Sequence, residues 1–267
     1  MKRRDALVVT LVLVLVVYAL AVTLGKSGTA RGVAGERAAL IEVDGLEWAA
    51  THPDTASLVM KRKAYTISYN ERTKQPNWVA WLLTADHVDG PYSRDITDFH
   101  EDEDVPAPRA TLEDYKGSGY DRGHHCPAGD NKWDFDAMCE SFLLSNMSPQ
   151  NKRLNSGRWN QIEQTVRRLA AREDSIYIIN GPIVRGGMGS IGRNGVTVPV
   201  GFFKVVASLR GEPWGAAFVC SNDADNPSTE DCLTTIHKVE EMTGITFFPE
   251  LDSLTAVRVK SGWRLKD

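Results

Sequence analysis

The sequence predicts an α+β protein with a mainly antiparallel sheet and packed helices, preceded by an N-terminal transmembrane helix. Segments typical of strands and of helices do not alternate regularly, which favours a mainly antiparallel sheet. No linker rich in Pro or Gly divides residues 41–267, so they are predicted to form one domain. An apolar run near the N-terminus predicts the transmembrane helix. The 267 residues as a whole are 42% hydrophobic and 25% charged, a composition typical of globular proteins.

The N-terminal segment has the pattern of a signal anchor. Three cations, Lys2-Arg3-Arg4, precede the apolar run 6–24, which contains no charged residue and spans most of a bilayer core of about 30 Å. The run is longer than the apolar part of a typical signal peptide, so an uncleaved anchor is favoured over cleavage and secretion. The expected organisation is a cytoplasmic segment, a transmembrane helix, a tether and a periplasmic or extracellular domain, over residues 1–5, 6–25, 26–40 and 41–267.

Residue patterns place the remaining elements. β-Branched and aromatic residues or short apolar runs predict strands over 64–69, 78–84, 142–144, 175–180, 196–208, 216–220 and 254–259. The first two flank a polar turn that contains Pro76. Apolar residues at helical spacing predict helices over 134–141, 155–172 and 233–242, the last ended by Gly244.

The charge distribution is uneven. A formal net charge of −4 argues against a protein held to nucleic acid by overall basicity, but it permits a local basic face. Six basic residues and one acid, Glu163, lie between positions 152 and 172. This helix is either a solvated surface or a groove that follows a nucleic-acid backbone. The acidic loop that follows Arg94 either faces away from such a groove or limits access to it.

The four cysteines allow several interpretations. An even number in an exported chain favours disulfides, and the two local pairings are Cys126–Cys139 and Cys220–Cys232. The sequence leaves all three pairing schemes open. Free buried thiols are the second interpretation. Zinc binding by His124, His125 and Cys126 is the least favoured interpretation, because adjacent residues seldom converge on one ion.

One glycine-rich segment matches a nucleotide-binding pattern. Gly187-Met188-Gly189-Ser190-Ile191-Gly192 has the spacing G-x-G-x-x-G and follows a predicted strand. A dinucleotide site also needs a helix to begin there, so that its N-terminal amides meet the pyrophosphate. The residues that follow predict a turn and a strand instead. A surface loop is therefore favoured, and no nucleotide cofactor is expected.

Two other segments carry side chains suited to phosphate chemistry. The first is Asp121-Arg122-Gly123-His124, and the second runs from Asn146 through Gln150 to Asn155, Trp159 and Glu163. Histidine can take a proton from water near neutral pH. Asn155 and Glu163 fall on one helix face, where an amide oxygen and a carboxylate suit a hydrated Mg²⁺. Taken singly, these residues also fit structural roles, such as a helix cap or a core side chain.

Together the two segments resemble the DNA/RNA non-specific endonucleases, sugar-non-specific nucleases of the ββα-metal superfamily. The resemblance covers roughly residues 60 to 250 and includes segments 119–150, 176–182 and 240–249. It implies a ββα-metal motif within the predicted fold. His125 and Cys126 depart from the family pattern, in which an apolar and a small residue commonly follow the motif.

The resemblance implies a role for each matching residue. His124 matches the general base, Asn155 the direct ligand of Mg²⁺, and Glu163 the residue that holds metal-bound waters. Asn146 matches an asparagine near the scissile phosphate, and Arg94 an arginine that neutralises it. Four further residues are expected to support the motif or contact substrate: Asp121, Arg122, Gln150 and Arg158.

The expected function is hydrolysis of phosphodiester bonds in DNA and RNA without sequence preference. Mg²⁺, with Mn²⁺ as a substitute, would stabilise charge on the phosphoryl group and the leaving oxygen. Expected partners are nucleic acid, a membrane contacted through the N-terminal helix, and a second copy of the chain in a homodimer. The alternative is a catalytically weak nucleic-acid-binding surface protein on the same fold.

Overall fold

The computed structural model describes residues 49–184, 189–225 and 227–262. The predicted cytoplasmic segment, transmembrane helix and tether lie outside these ranges, as does part of the glycine-rich segment. Within the described ranges, no helix combines the length and apolar character needed to cross a bilayer.

Thirteen strands are present in the described ranges. They are β1 Ala49–Ala50, β2 Leu58–Lys61, β3 Thr66–Asn70, β4 Gln75–Thr84, β5 Asp121–His124, β6 Met147–Gln150, β7 Ser175–Ile183, β8 Ser190–Ile191, β9 Val196–Thr197, β10 Gly201–Ser208, β11 Trp214–Ser221, β12 Leu233–Thr234 and β13 Thr246–Phe247.

The α-helices in the same ranges are α1 Leu112–Tyr115, α2 Phe135–Glu140, α3 Lys152–Leu154, α4 Asn160–Glu173, α5 Thr229–Cys232, α6 Ile236–Thr243 and α7 Ser253–Ser261. A π-helical turn, Asn155–Trp159, joins α3 to α4. Short 3₁₀ turns occur at Ala85–Val88, Arg94–Ile96, Ala128–Asp130 and Leu144–Asn146.

Seven strands form one antiparallel sheet in the order β12-β11-β10-β7-β4-β3-β2. The central strand β7 is buried along its whole length, since both faces of the sheet are covered. Successive side chains of a strand point to opposite faces. Ile178 therefore packs with the buried stripe of α4, whereas Ile179 packs with α6 and α7 on the other face. The predicted α+β fold with an antiparallel sheet is confirmed for the described part of the chain.

The stripe that holds α4 on the sheet is the one that the sequence predicts. Ile162, Val166 and Leu169 are buried at three- and four-residue steps, and Trp159 precedes them in the π-helical turn. Burying an aliphatic side chain of this size contributes about 1.5–3 kcal/mol. This packing fixes the helix that carries Glu163 against the central strands.

Two predicted strands are wrong. Residues 142–144 are buried and form a turn into the 3₁₀ helix Leu144–Asn146, with a single β-bridge from Leu143 to His100 in place of a strand. A short apolar run fits any buried segment. Residues 254–259 lie in α7, where the Asp252 side chain accepts hydrogen bonds from the amides of Leu254 and Thr255. This N-cap outweighs the weak strand preference of the alternating valines.

Other predicted boundaries shift. The predicted strand 196–208 divides into β9 and β10 around Pro199, and the predicted helix 233–242 divides into β12 and α6. The predicted end of this helix is confirmed, since Gly244 adopts a left-handed conformation with φ of 72°.

A separate two-stranded ladder pairs β5 with β6, in the register Asp121↔Gln150 to His124↔Met147. Neither strand shows a clear alternation of apolar and polar residues, so strand patterns alone did not predict them. The ladder and the helix that follows it form the ββα motif implied by the resemblance.

Candidate active site

One open cavity of about 660 Å³ lies between the β5–β6 ladder and α4. Its lining includes six side chains able to act on an anionic substrate: Arg94, Arg122, His124, Asn155, Glu163 and Arg167. Five of the six were predicted from the sequence, and they span positions 94 to 163. The fold therefore brings the predicted base, the predicted metal ligand and the predicted water-binding carboxylate to one cavity.

A hydrogen bond joins the two motif segments directly. Asn155 Nδ2 donates to Asp121 Oδ2 at 3.1 Å. The bond connects the first residue of the π-helical turn to the first residue of β5. The bond uses the amide nitrogen, so the side-chain oxygen of Asn155 keeps its lone pairs. A neutral oxygen beside a carboxylate fits a hard cation that keeps most of its water. The residues present therefore fit the implied Mg²⁺.

His124 ends β5 between two aromatic rings. The ring centroids of Phe99 and Phe142 lie 5.4 and 5.0 Å from that of the imidazole. Burial, together with the positive charges of Arg94 and Arg122, lowers the pKa of His124 to about 3. The buried Nε2 has no hydrogen-bond partner among the described residues. The imidazole is thus neutral at pH 7 and retains a nitrogen that can accept a proton.

The two arginines beside His124 lie against the same aromatic rings. The Arg122 guanidinium carbon is 4.3 Å from the Phe99 ring centroid, and that of Arg94 is 5.8 Å from Phe142. Stacking on an aromatic face orients a guanidinium while it leaves its N–H groups available. Both cations line the cavity and can complement phosphate oxygens.

Glu163 is held by a buried ion-pair chain. Arg167 Nη2 donates to Glu163 Oε2 at 3.2 Å, and Arg167 Nε donates to Asp130 Oδ1 at 2.7 Å. Trp81 Nε1 completes the chain by donating to the other oxygen of Asp130 at 3.2 Å. Burial raises the pKa of Glu163, although the charges of Lys204 and Arg167 oppose this rise. The chain fixes the direction in which the carboxylate faces the cavity.

Lys204 is an unexpected buried cation near this chain. It is 1% exposed in the middle of β10, and its ammonium lies 5.2 Å from the ring centroids of both Trp81 and Trp159. Burial lowers the pKa of Lys204, whereas the carboxylates of Glu163 and Asp130 raise it. Its positive charge favours the ionised form of Glu163.

Several of these residues lie outside the two motif segments. Phe99, Phe142, Asp130, Arg167 and Lys204 lie outside the matched motif positions. Arg167 is four residues after Glu163, a spacing that places the two on one helix face and could have identified the pair. The other four reach the site through tertiary packing, for which the sequence carries no local signal.

Asn146 is buried behind the cavity. Its side-chain oxygen accepts from the amide of Cys126 at 3.0 Å, and its nitrogen donates to the carbonyls of Cys126 and Ser141 at 2.9 and 2.8 Å. The side chain thereby closes the turn that follows His124. Asn146 is absent from the cavity lining and holds the backbone next to the imidazole.

Gln150 and Arg158 also lie away from the cavity lining. Gln150 is 1% exposed and packs against the backbone of Gly123 in the ladder. Arg158 donates to the Pro227 carbonyl and to Thr229 Oγ1, the latter at 2.9 Å. A role in substrate binding for these two residues stays a prediction, and both have structural partners.

The remaining alternatives find little support. The described residues contain no group of three or more His, Cys, Asp and Glu side chains able to hold a metal. The described part of the glycine-rich segment forms the β8–β9 ladder, and no helix begins there.

An open cavity that combines a neutral imidazole, a side-chain amide, a fixed carboxylate and two arginines suits an anionic substrate. The sequence profile of the DNA/RNA non-specific endonuclease family matches residues 50–254. The chain belongs to this family, as its motif segments predict.

Individual relatives agree with this assignment. The chain is 36% identical over 212 residues to the mouse mitochondrial nuclease EXOG. The alignment covers 73% of this chain and 58% of the mouse protein. It is 38% identical over 221 residues to nuclease C1 of Cunninghamella echinulata var. echinulata. That alignment covers 76% of this chain and 87% of nuclease C1. Bovine mitochondrial endonuclease G is 34% identical to the chain over 214 residues. This alignment covers 74% of the chain and 71% of the bovine protein.

A solved structure has the same fold. The chain matches the crystal structure of an EndoG/EndoGI complex with a TM-score of 0.69 and 30% sequence identity. The match covers 75% of this chain and 88% of the other.

Proposed function

We propose that this protein is a metal-dependent endonuclease that hydrolyses phosphodiester bonds of DNA and RNA without sequence or sugar preference. One observation carries the proposal: His124, Asn155 and Glu163 line a single cavity together with Arg94 and Arg122. The family and its nuclease relatives support the same reaction class.

The proton-transfer step belongs to His124. Its neutral imidazole lines the cavity, where a ring nitrogen accepts the proton of the attacking water. Phe99 and Phe142 restrict the ring, so the base needs little reorganisation when water and phosphate enter.

The phosphate is held by the two stacked arginines, which complement charge on its non-bridging oxygens. Mg²⁺, or Mn²⁺ in its place, would be held by Asn155 and water and would supply Lewis-acid stabilisation of the phosphoryl and leaving oxygens. Glu163, fixed by Arg167, accepts hydrogen bonds from water in the cavity. Asp121 orients Asn155 through their hydrogen bond.

The substrate range follows from what these residues can contact. Arginines and a base aimed at a phosphate carry no sequence information, because sequence is recognised at base edges. Discrimination between DNA and RNA needs a contact to the 2′-hydroxyl, and the mechanism uses none. We therefore propose duplex DNA, single strands and RNA as substrates.

The test is a cleavage assay on the purified full-length chain with plasmid, single-stranded DNA and RNA in parallel. We expect all three to be cleaved with Mg²⁺ and none with EDTA. Retardation of nucleic acid without cleavage under both conditions would instead identify a binding protein and contradict the proposal.

We also propose that the N-terminal segment places this domain in the periplasm or outside the cell, anchored to the membrane or secreted after cleavage. The charge pattern of residues 1–25 supports this localisation. Homodimer formation stays a prediction. Fractionation of expressing cells, with sedimentation of the purified protein, tests both proposals.

A further inference from the structure

Two thiols outside the proposed active site lie in contact. Cys220 in β11 and Cys232 at the end of α5 have sulfur atoms 2.8 Å apart, and each residue is 2% exposed. All four cysteines are thiols in the structure. The β11–β12 ladder brings the pair together, since its last register pair, Phe218↔Leu233, lies next to both residues.

The two sulfurs have unequal chemistry. The Cys220 thiol donates to the Cys232 sulfur, which lowers the pKa of Cys232, and the positive charge of Arg158 lowers it further. Cys232 is therefore the sulfur that becomes a thiolate first, and a thiolate is the nucleophile in disulfide exchange.

The loop between the two cysteines contacts the segment that carries Asn155. The Asn222 side chain accepts from the amide of Asn151 at 2.8 Å and donates to the Pro149 carbonyl at 3.0 Å. From the other side, Arg158 donates to Pro227 and Thr229. The loop thus holds both ends of the stretch from β6 to the π-helical turn.

We propose that Cys220 and Cys232 are a redox modification site, oxidised by a low-molecular-weight disulfide to an intramolecular disulfide that fixes Asn222 and Thr229 against the Asn155 segment. Because β12 is the edge strand of the sheet, local opening there exposes the Cys232 thiolate, which attacks one sulfur of the oxidant and releases the other as a thiolate. The Cys220 sulfur then loses its proton to solvent and displaces the second thiol from Cys232. Two protein thiols and one disulfide become one protein disulfide and two small thiols.

Cys126 and Cys139 have different surroundings. Cys126 is buried and its sulfur accepts from Asn131 Nδ2 at 3.3 Å, while Cys139 lies partly exposed in α2. Cys139 therefore provides a matched control for loss of a thiol outside the pair.

The test uses the full-length chain, oxidised with glutathione disulfide, alkylated and digested for mass spectrometry without reduction. We expect a cross-link between residues 220 and 232, with the other two cysteines alkylated. Closure of a loop of this length predicts that reduction with dithiothreitol lowers the melting temperature by about 5–10 °C. Cys139→Ser should show the same decrease in melting temperature on reduction. The double variant Cys220→Ser/Cys232→Ser should melt at the same temperature with and without reductant.

Four alkylated cysteines after oxidation, a glutathione adduct that persists on Cys232, or a cross-link to another cysteine would overturn the proposal. So would a melting temperature of the wild-type protein that reduction leaves unchanged. The wild-type measurement decides the question even where the double variant fails to fold. None of these measurements depends on nuclease activity.

Discussion

At the scale of single residues, the electrostatics of His124 set the chemistry of the site. A histidine that is to act as a base must be neutral, and here burial keeps it so, aided by the charges of Arg94 and Arg122. These same arginines attract the phosphate. The arrangement therefore combines anion binding with an imidazole that has not already taken a proton.

The neutral state of His124 has a measurable consequence in the protein without substrate. Because its folded pKa is about 3 and that of an unperturbed histidine is about 6.5, the imidazole should not titrate between pH 5 and 8. Nuclear magnetic resonance of the ring protons, assigned with His124→Gln, measures this directly. A titration midpoint near 6.5 would show that the ring is solvated and would contradict the buried geometry.

The same pKa affects stability, and the direction follows from linkage. The unfolded chain binds a proton near pH 6.5 that the folded protein excludes, so this histidine destabilises the fold as pH falls from about 6.5 toward 3. Above pH 6.5 its contribution vanishes. His125, buried with its pKa also lowered to about 3, acts in the same direction.

Asn155 is the residue through which metal dependence is predicted to act. Removal of its amide in Asn155→Ala should raise the Mg²⁺ concentration for half-maximal cleavage at least tenfold and should weaken Mg²⁺ binding in calorimetry. Gln164→Ala, an exposed change on the same helix, should leave both values as in the wild type. Equal Mg²⁺ titrations for the two variants would remove Asn155 as a ligand.

At the scale of elements, the site depends on how closely β5 and β6 approach each other. A Cβ on Gly123 would lie 2.6 Å from Gln150 Cβ and 2.4 Å from its Oε1. Only a glycine permits this distance, and the next residue along β5 is the proposed base. A larger side chain at position 123 would therefore push β5 away from β6 and displace the His124 imidazole.

Substitution at Gly123 tests this transmission. Gly123→Ala should lower stability by about 1–3 kcal/mol through overpacking and should reduce the cleavage rate, because β5 must move away from β6. Shortening the opposing side chain in Gly123→Ala/Gln150→Ala should recover part of both losses. Denaturant unfolding and initial rates give the coupling between the two positions. Strictly additive effects would mean that the two residues are not in contact.

The element scale also shows where sequence reasoning succeeds and where it fails. The stripe Ile162–Val166–Leu169 is a local pattern, so it predicts the helix correctly. Strand β5 has no such pattern, because Asp121 and Arg122 are retained for the site, and it is recognised only through the motif. The basic residues 152–172 are predicted to form either a solvated surface or a groove, and two of them, Arg158 and Arg167, bond instead to partners that the sequence does not place nearby.

At the scale of the whole molecule, a protein of net charge −4 presents cations at one cavity. Part of the acidic loop is neutralised by other residues, since its buried Asp102 pairs with Arg62 and accepts from Ser145. Glu101 similarly pairs with Arg109. The Arg62–Asp102 pair joins residues 40 positions apart and could not be predicted from the sequence.

This local field predicts a specific response to salt. Arg94→Gln should raise KM for plasmid DNA and lower the slope of log KM against log salt concentration by about 1, as expected for one lost phosphate contact. Arg168→Gln, which removes an exposed cation outside the cavity, serves as the control. If both variants shift the slope equally, binding follows overall charge rather than the cavity.

The central claim is that the His124 imidazole acts on a phosphodiester bond, and plasmid cleavage by His124→Ala tests it most directly. Without the base we expect the rate to fall by at least about 10²-fold, with the wild-type circular dichroism spectrum retained. His237→Ala, a change at an exposed histidine on α6 away from the cavity, should cleave as the wild type does. Cleavage by His124→Ala at a rate close to that of His237→Ala would contradict the account.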